Sequence, residues 1–491
     1  MFRNARLFRF PLALVLTLVL AWSGPTGLLA KAREVKMADV EAIRLLGPNN
    51  LPVKVLVVLS YSSGNLKFVA NLVKIVARIH EVDRIPAAEK FTVQVFAGHD
   101  DLLAELKKMV GAKIYDTYVE KGPAYVDGDI WMQDWGEIGM VKLRDDPKPQ
   151  LLILDSNRGK ASYMFMEGGT VPPLLAKVWN ACYMKNPAPQ VSGGDMGGNL
   201  EVTPDDILVV GNTITPQFRD FLGRRGYKDR MVELEADWLA VGHCDEFLSI
   251  VPNDRVPDGF TLVKGDPALA FKLILEADRA EIAAITAKEY REQLLFLWDY
   301  LHTPGENQKR WVAFLRAYQP DTGASPGNRP PRLTDKGPYE TPEKFGKGSA
   351  DLFIRQNLAI AAVIDQNIDR LTTRINAVNR RGDRALSLAA FPMLYGRKNS
   401  KFLGYLPGVI NQLILRKHLV IADPKLKLFR EAIRKEVEPL GLTPHFIDDT
   451  PYHTRWGDVH CATNVFRHPN RYIVRPRNLP AIWAPPAEKK Q

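Results

Sequence analysis

The sequence predicts an α/β fold, and three observations carry that expectation. Val53 to Tyr61 is an apolar run of strand length, and Leu66, Val69, Leu72, Ile75, Val76 and Ile79 follow it at helical spacing. Phe91 to Phe96 is a second strand-like run, so strand, helix and strand alternate within the first hundred residues. At 491 residues and 46% hydrophobic, the chain is long enough to bury a sizeable core.

The remaining elements continue that alternation. Asp100-Asp101 is placed to cap a helix running to Val110. Further strands are expected at Gln150 to Leu154, Ile207 to Val210, Phe247 to Val251 and His418 to Ile421. Helices are expected over Pro267 to Leu301, Asp351 to Asn376 and Pro424 to Glu436.

Residues 1–30 have the parts of a signal peptide: Arg3, Arg6 and Arg9, an apolar run from Pro11 to Trp22, and a short stretch ending at Ala30. The expectation is a secreted or periplasmic protein with no membrane span once the leader is cleaved. Residues 31–51 then form a lead-in, and 52–485 a single catalytic domain, because the candidate residues below flank the internal stretch 319–348 on both sides. That stretch, with six Pro and five Gly, reads as a long loop, and 486–491 as a loose tail.

The formal net charge is +10, part of it in the leader, and Lys and Arg are scattered without a dense basic run. That balance does not suit nucleic-acid binding. Three cysteines, Cys182, Cys244 and Cys461, are too few for a disulfide framework, and an odd number leaves at least one thiol free. Whether Cys182 and Cys244 pair stays open, as does the oligomeric state.

Four segments carry chemistry. Cys461, in Gly457-Asp458-Val459-His460-Cys461-Ala462-Thr463-Asn464, is the candidate nucleophile, and a thiol needs a base or a cationic neighbour to react at neutral pH. His243 and Asp245 stand two apart, so an extended backbone points both into one cavity. Asp134 lies close to Trp131, where a carboxylate and a flat apolar wall can grip a planar delocalised cation. The fourth segment is Gly198-Asn199-Leu200-Glu201. A zinc hydrolase built on His243, Asp245, His460 and Cys461 lacks a compact ligand spacing.

In this order the segments resemble the protein-arginine deiminases, most densely at Trp131 to Gly139, Gly198 to Pro204, Asp237 to Pro252 and Gly457 to Asn464. The resemblance implies a five-bladed pseudo-symmetric α/β propeller, the pentein fold, and conversion of arginine side chains in proteins or peptides to citrulline and ammonia. By the same resemblance Cys461 is the nucleophile, His243 the general acid/base, and Asp134 and Asp245 the carboxylates on the guanidinium. Trp131, Arg158 and Arg455 are implied to contact substrate. A calcium ion is implied on Gln133, Glu137 and Glu201 with the carbonyls of Gly197 and Leu200. A second is implied on Asp155, Ser156 and Asn157, although Trp135 stands where the family has a Glu ligand.

The resemblance starts near Pro52, leaving no counterpart of the two immunoglobulin-like domains of animal members, and suggests a compact, exported, microbial-type relative. A deiminase of free arginine or agmatine on the same fold, and a non-catalytic arginine-binding protein, are the alternatives.

Overall fold

A computed structural model describes residues 33–123, 129–158, 171–320 and 350–483. The expected signal peptide, the expected tail and the 319–348 stretch beyond Pro320 lie outside the described residues. The described chain is a mixed α/β structure.

Five sheets share one plan: a central strand takes an antiparallel neighbour on one edge and a parallel neighbour on the other. A parallel partner needs a crossover, and a helix supplies it, which is why strands and helices alternate in the sequence. Asn50–Leu59 pairs with Thr463–Tyr472 and, after helix Leu66–Val82, with Thr92–Ala97. Gln150–Asp155 lies between Gly136–Leu143 and Cys182–Lys185, with helix Val171–Val178 in the crossover. Leu208–Gly211 lies between Leu200–Val202 and Met231–Leu234, with helix Pro216–Leu222. Phe260–Asp266 lies between Leu248–Pro252 and Leu388–Pro392, its crossover carrying several helices up to Ala350–Asn379. His418–Ala422 lies between Leu413–Leu415 and Thr443–Ile447, with helix Lys427–Val437. The central strands Phe260–Asp266 and His418–Ala422 are buried along their whole length, as expected for strands covered on both faces.

The helix expected over Pro267 to Leu301 is three helices, Pro267–Glu276, Arg279–Ala283 and Lys288–His302. Ala277 leaves the helical region and Asp278 starts a new helix, its carboxylate accepting from the Ala280 N–H at 2.8 Å. In the helix Asp100–Val110 the N-cap position falls on His99, whose side chain makes no capping bond, and not on Asp100-Asp101; the two acids sit in its first turn, where the helix dipole favours them.

What positions the site is the strand antiparallel to the central one in each sheet. Gly136–Leu143 begins two residues after Asp134, Leu413–Leu415 two after Asn411, and Thr463–Tyr472 two after Cys461. Leu248–Pro252 begins three after Asp245, and Leu200–Val202 two after Gly198. Five chain-distant segments therefore deliver their polar groups at the same point of a repeated unit.

Candidate active site

Cys461 is 5% exposed in the turn ahead of its strand. Its Sγ lies 3.6 Å from Asp245 Oδ2, to which the thiol donates, and 3.2 Å from the Nδ2 of Asn411, which donates to it. Asn411 Nδ2 also donates to Asp245 Oδ2 at 2.7 Å, and its Oδ1 accepts the Cys461 N–H at 3.0 Å. Burial, then the charges of Asp245 and Asp134, pushes the Cys461 thiol well above its ordinary value, so the resting sulfur is a thiol.

His243 is fully buried, and its Nε2 lies 2.8 Å from the Gly193 carbonyl. That fixes the ring with Nδ1 towards Asp134 Oδ1, 3.9 Å away. The His243 N–H donates to Glu246 Oε1 at 3.3 Å, anchoring the short helical turn that carries Asp245. His243 Nδ1, Asp134 Oδ1 and Asp245 Oδ1 are buried polar atoms without a hydrogen-bond partner among the described residues. Orphans of this kind are costly unless a ligand uses them. Gly198 lets the segments close up: a Cβ there would stand 2.6 Å from His243 Nδ1 and 2.9 Å from Asp245 Oδ2.

Asp134 is already engaged on its other oxygen. Arg158 donates from Nη1 to Asp134 Oδ2 at 2.9 Å and from Nε to Asp129 Oδ2 at 2.6 Å. Burial raises the Asp134 carboxyl above its ordinary value, and the Arg158 guanidinium opposes that shift. Arg158, expected to face the substrate, thus lies on one of the carboxylates expected to hold the substrate. Trp131 meets the nucleophile turn where a Cβ on Gly457 would be 2.5 Å from its ring and 3.2 Å from Cys461 Cβ. Arg455 departs from expectation. Its guanidinium is spent on the carbonyls of Pro451 at 2.6 Å, Ser62 at 3.1 Å and Ser63 at 3.5 Å, stapling two loops together.

Beside Cys461, His460 Nδ1 donates to Asp245 Oδ2 at 2.9 Å and its Nε2 lies 3.7 Å from Glu201 Oε1. Burial lowers the His460 pKa, but Asp245 and Glu201 outweigh it and raise the value overall. Gln133, Glu137, Glu201, His460 and Arg467 line a small cavity of about 40 Å³. Burial holds Glu201 up at about 7, and burial plus Glu201 holds Glu137 well above the carboxylate range. Gln133 Nε2 donates to Glu137 Oε1 at 3.1 Å, while Arg467 gives its N–H groups to the carbonyls of Pro48, Asn50 and Ile414. A Cβ on Gly197 would stand 2.4 Å from the Gln133 carbonyl oxygen and 2.5 Å from Glu137 Oε1. Two under-neutralised carboxylates, an amide and close backbone carbonyls are hard oxygen donors that fit calcium.

In the second implied cluster the side chains are mostly engaged with protein groups, while Asn157 Oδ1 is buried with no hydrogen-bond partner among the described residues. Asp155 accepts from Tyr183 at 2.7 Å and from the Asn157 N–H at 2.7 Å, Ser156 donates to the Asp134 carbonyl at 2.6 Å, and Asn157 donates to the Asn186 carbonyl at 3.0 Å. These bonds build a turn. Nor do three or more His, Cys, Asp or Glu side chains converge as a metal cluster among the described residues, so the zinc set is not assembled. All three cysteines are buried free thiols.

Asn411, Asp129 and Glu246 were not singled out from the sequence. Asn411-Gln412 does interrupt the apolar run from Val409 to Leu415, and a polar pair inside such a run needs partners.

Fold and site together define a mixed α/β protein in which a buried cysteine faces two carboxylates and an imidazole. The chain belongs to the protein-arginine deiminase family. The model of that family, described as protein-arginine deiminase, matches residues 206–310 and 349–472. The chain is 30% identical over 396 residues to the human protein-arginine deiminase type-3, covering 75% of this chain and 50% of that one. It is 27% identical over 418 residues to the mouse protein-arginine deiminase type-4, covering 78% and 53%. The chain therefore spans about half the length of these relatives. Among solved structures, the C. jejuni agmatine deiminase with substrate bound superposes with a TM-score of 0.46 at 10% identity, covering 88% of this chain and 96% of that one. The agmatine deiminase of Enterococcus faecalis gives 0.46 at 11%, covering 89% and 99%. No helix among the described residues is long and apolar enough to cross a membrane.

Proposed function

We propose that this chain hydrolyses the guanidinium of arginine side chains in proteins or peptides, releasing ammonia and leaving citrulline. The observation that carries the reading is the trio of orphaned polar atoms, Asp134 Oδ1, Asp245 Oδ1 and His243 Nδ1, on residues of which Asp245 meets the Cys461 sulfur and His243 faces Asp134. A guanidinium is a planar cation with five N–H donors, and it suits two buried carboxylates; each hydrogen bond to a charged partner contributes about 1.5–3 kcal/mol. That Asp134 already carries the guanidinium of Arg158 supports the match.

The bound cation reverses the electrostatics that hold Cys461 as a thiol, because it offsets the two carboxylates responsible. The S–H proton passes to His243 Nδ1 as Sγ attacks the guanidinium carbon and a C–S bond forms. The C–N bond breaks as His243 passes its proton to the departing nitrogen, leaving an amidino-thioether. Water, deprotonated by neutral His243, adds to the same carbon and the C–S bond breaks. The products are citrulline, ammonium and the restored thiol.

The repeated unit of the five sheets supports a five-bladed propeller as the frame. Gln133, Glu137 and Glu201, with the carbonyls of Gly197 and Leu200, would hold the calcium ion, which supplies positive charge to the two buried glutamates. Export through residues 1–30 belongs to the same reading, and the N-terminal sequence of the mature protein checks it.

The test is mass spectrometry of a doubly blocked peptide containing one Arg, incubated with calcium or with chelator. A gain of about 1 Da, absent in Cys461→Ala, is expected, since removing the nucleophile removes the covalent route. Conversion of free arginine or agmatine but not of the peptide overturns the protein-substrate assignment and leaves the chemistry standing.

A further inference from the structure

We infer that Asn411 is a catalytic residue: its side-chain amide is the hydrogen-bond donor that receives the Cys461 sulfur as it becomes an anion. The inference rests on Cys461 being the nucleophile. Asn411 is 2% exposed and lies in a turn closed by its own N–H on the Gly408 carbonyl at 3.1 Å. That turn is tied to the nucleophile turn at three further points. Gly408 N–H donates to Asp458 Oδ1 at 2.9 Å, His460 N–H to the Asn411 carbonyl at 3.0 Å, and Cys461 N–H to Asn411 Oδ1 at 3.0 Å. With Oδ1 fixed by the Cys461 backbone, the amide plane has one remaining direction for Nδ2. It points between Cys461 Sγ at 3.2 Å and Asp245 Oδ2 at 2.7 Å.

The neighbours show why a donor is needed there. The charged groups facing Cys461 from the packed elements include Asp245, Asp134 and Glu246, which oppose a negative sulfur, and Arg158, which favours one but is itself paired to Asp134 and Asp129. Asn411 Nδ2 puts a positive dipole on Sγ from the protein itself. Hydrogen bonds to an ionised acceptor are roughly twice as strong as neutral ones, so this contact strengthens as the thiolate develops. Position in the fold points the same way. Asn411 stands two residues ahead of the antiparallel neighbour of its central strand, as Asp134 and Cys461 do of theirs, so its sheet contributes to the site where the others do. An amide supplies a donor and an acceptor at once; a carboxylate keeps the acceptor and loses the donor.

That difference gives the test. Asn411→Ala, Asn411→Asp and Asn411→Ser are compared with wild type in the full chain. The readouts are kcat and KM on the blocked peptide, the rate at which iodoacetamide labels Cys461 by peptide mapping, and melting curves that confirm folding. If Asn411 only straps the turn, Asp preserves the bond to the Cys461 N–H and stays within about 5-fold of wild type in kcat and labelling rate, which overturns the inference. If the donor matters, Asp falls as far as Ala or further, kcat dropping on the order of 10²–10³-fold with KM changed by less than about 5-fold. Cys461 labelling then slows by about 10-fold or more in both, and Ser, which keeps a hydroxyl donor, is faster than Ala. Should wild type convert no guanidino substrate, the proposed function fails, while the labelling rates still decide the role of Asn411.

Discussion

Arg158 shows how closely a residue can imitate the ligand of its own site. Its guanidinium bridges Asp134 and Asp129 from a position where 16% of the side chain is exposed. A substrate guanidinium has to share or take Asp134 from it. Arg158→Gln should therefore tighten binding of a small guanidine to the Cys461→Ala protein by about 5-fold or more, read by calorimetry. The same change should destabilise the chain by on the order of 3 kcal/mol, because breaking a buried pair strands a charge. Weaker guanidine binding would instead make Arg158 part of the substrate contact. The sequence brought Cys461, His243, Asp134 and Asp245 forward as candidates through the order of their segments and the resemblance it carries, not through residue type alone. It could not supply the partner of Arg158, or Asn411, since amide and guanidinium roles depend on which atoms meet, and the meeting residues are far apart in the chain.

At the scale of elements, the adjacent parallel strands His418–Ala422 and Thr443–Ile447 carry an imidazole pair, His418 buried and His445 partly buried. His418 Nδ1 lies 2.9 Å from His445 Nε2, and His418 Nε2 lies 3.0 Å from Asp83 Oδ2. Burial, with the charges of His418 and Arg78, lowers His445 from 6.5 to about 4. The unfolded chain takes up this proton near 6.5 and the folded chain only near 4, so the stability it contributes is present above pH 6.5 and is lost as pH falls towards 4. Allowing for partial exposure, the loss amounts to about 2 kcal/mol. His445→Gln should flatten that part of the profile, as read from denaturant midpoints across the window; an unchanged slope would assign the acid sensitivity elsewhere.

The same scale explains which elements could be read in advance. Fully buried strands such as those at Phe247 to Val251 and His418 to Ile421 stand out as largely apolar runs because both faces are covered. Thr463–Tyr472 is hidden by Arg467, His468, Pro469 and Asn470, and its pairing shifts register between Phe466 and Arg467 and again before Tyr472. Gly136–Leu143 carries two glycines; at Gly136 φ is +147 and a Cβ would lie 2.1 Å from the Leu154 carbonyl oxygen, so neither propensity nor pattern marks it.

For the whole molecule, the buried glutamates beside the nucleophile turn are the feature most sensitive to solution conditions. Calcium at 100 times its Kd should stabilise the chain by about 2.7 kcal/mol, seen as a raised Tm. The gain should be larger at pH 8 than at pH 6, because Glu201 keeps its proton up to about 7 and a cation has to displace it. Glu137→Gln with Glu201→Gln should remove the calcium response; a response that persists would place the ion elsewhere.

The pairing of Thr463–Tyr472 with Asn50–Leu59 also has a temporal side. Synthesis makes the carboxylates and the imidazole before the sulfur. The strand that follows Cys461 then completes a sheet with Asn50–Leu59. A polypeptide stopped short of Cys461 therefore holds only separate pieces of the candidate centre, which closes once that late strand has paired.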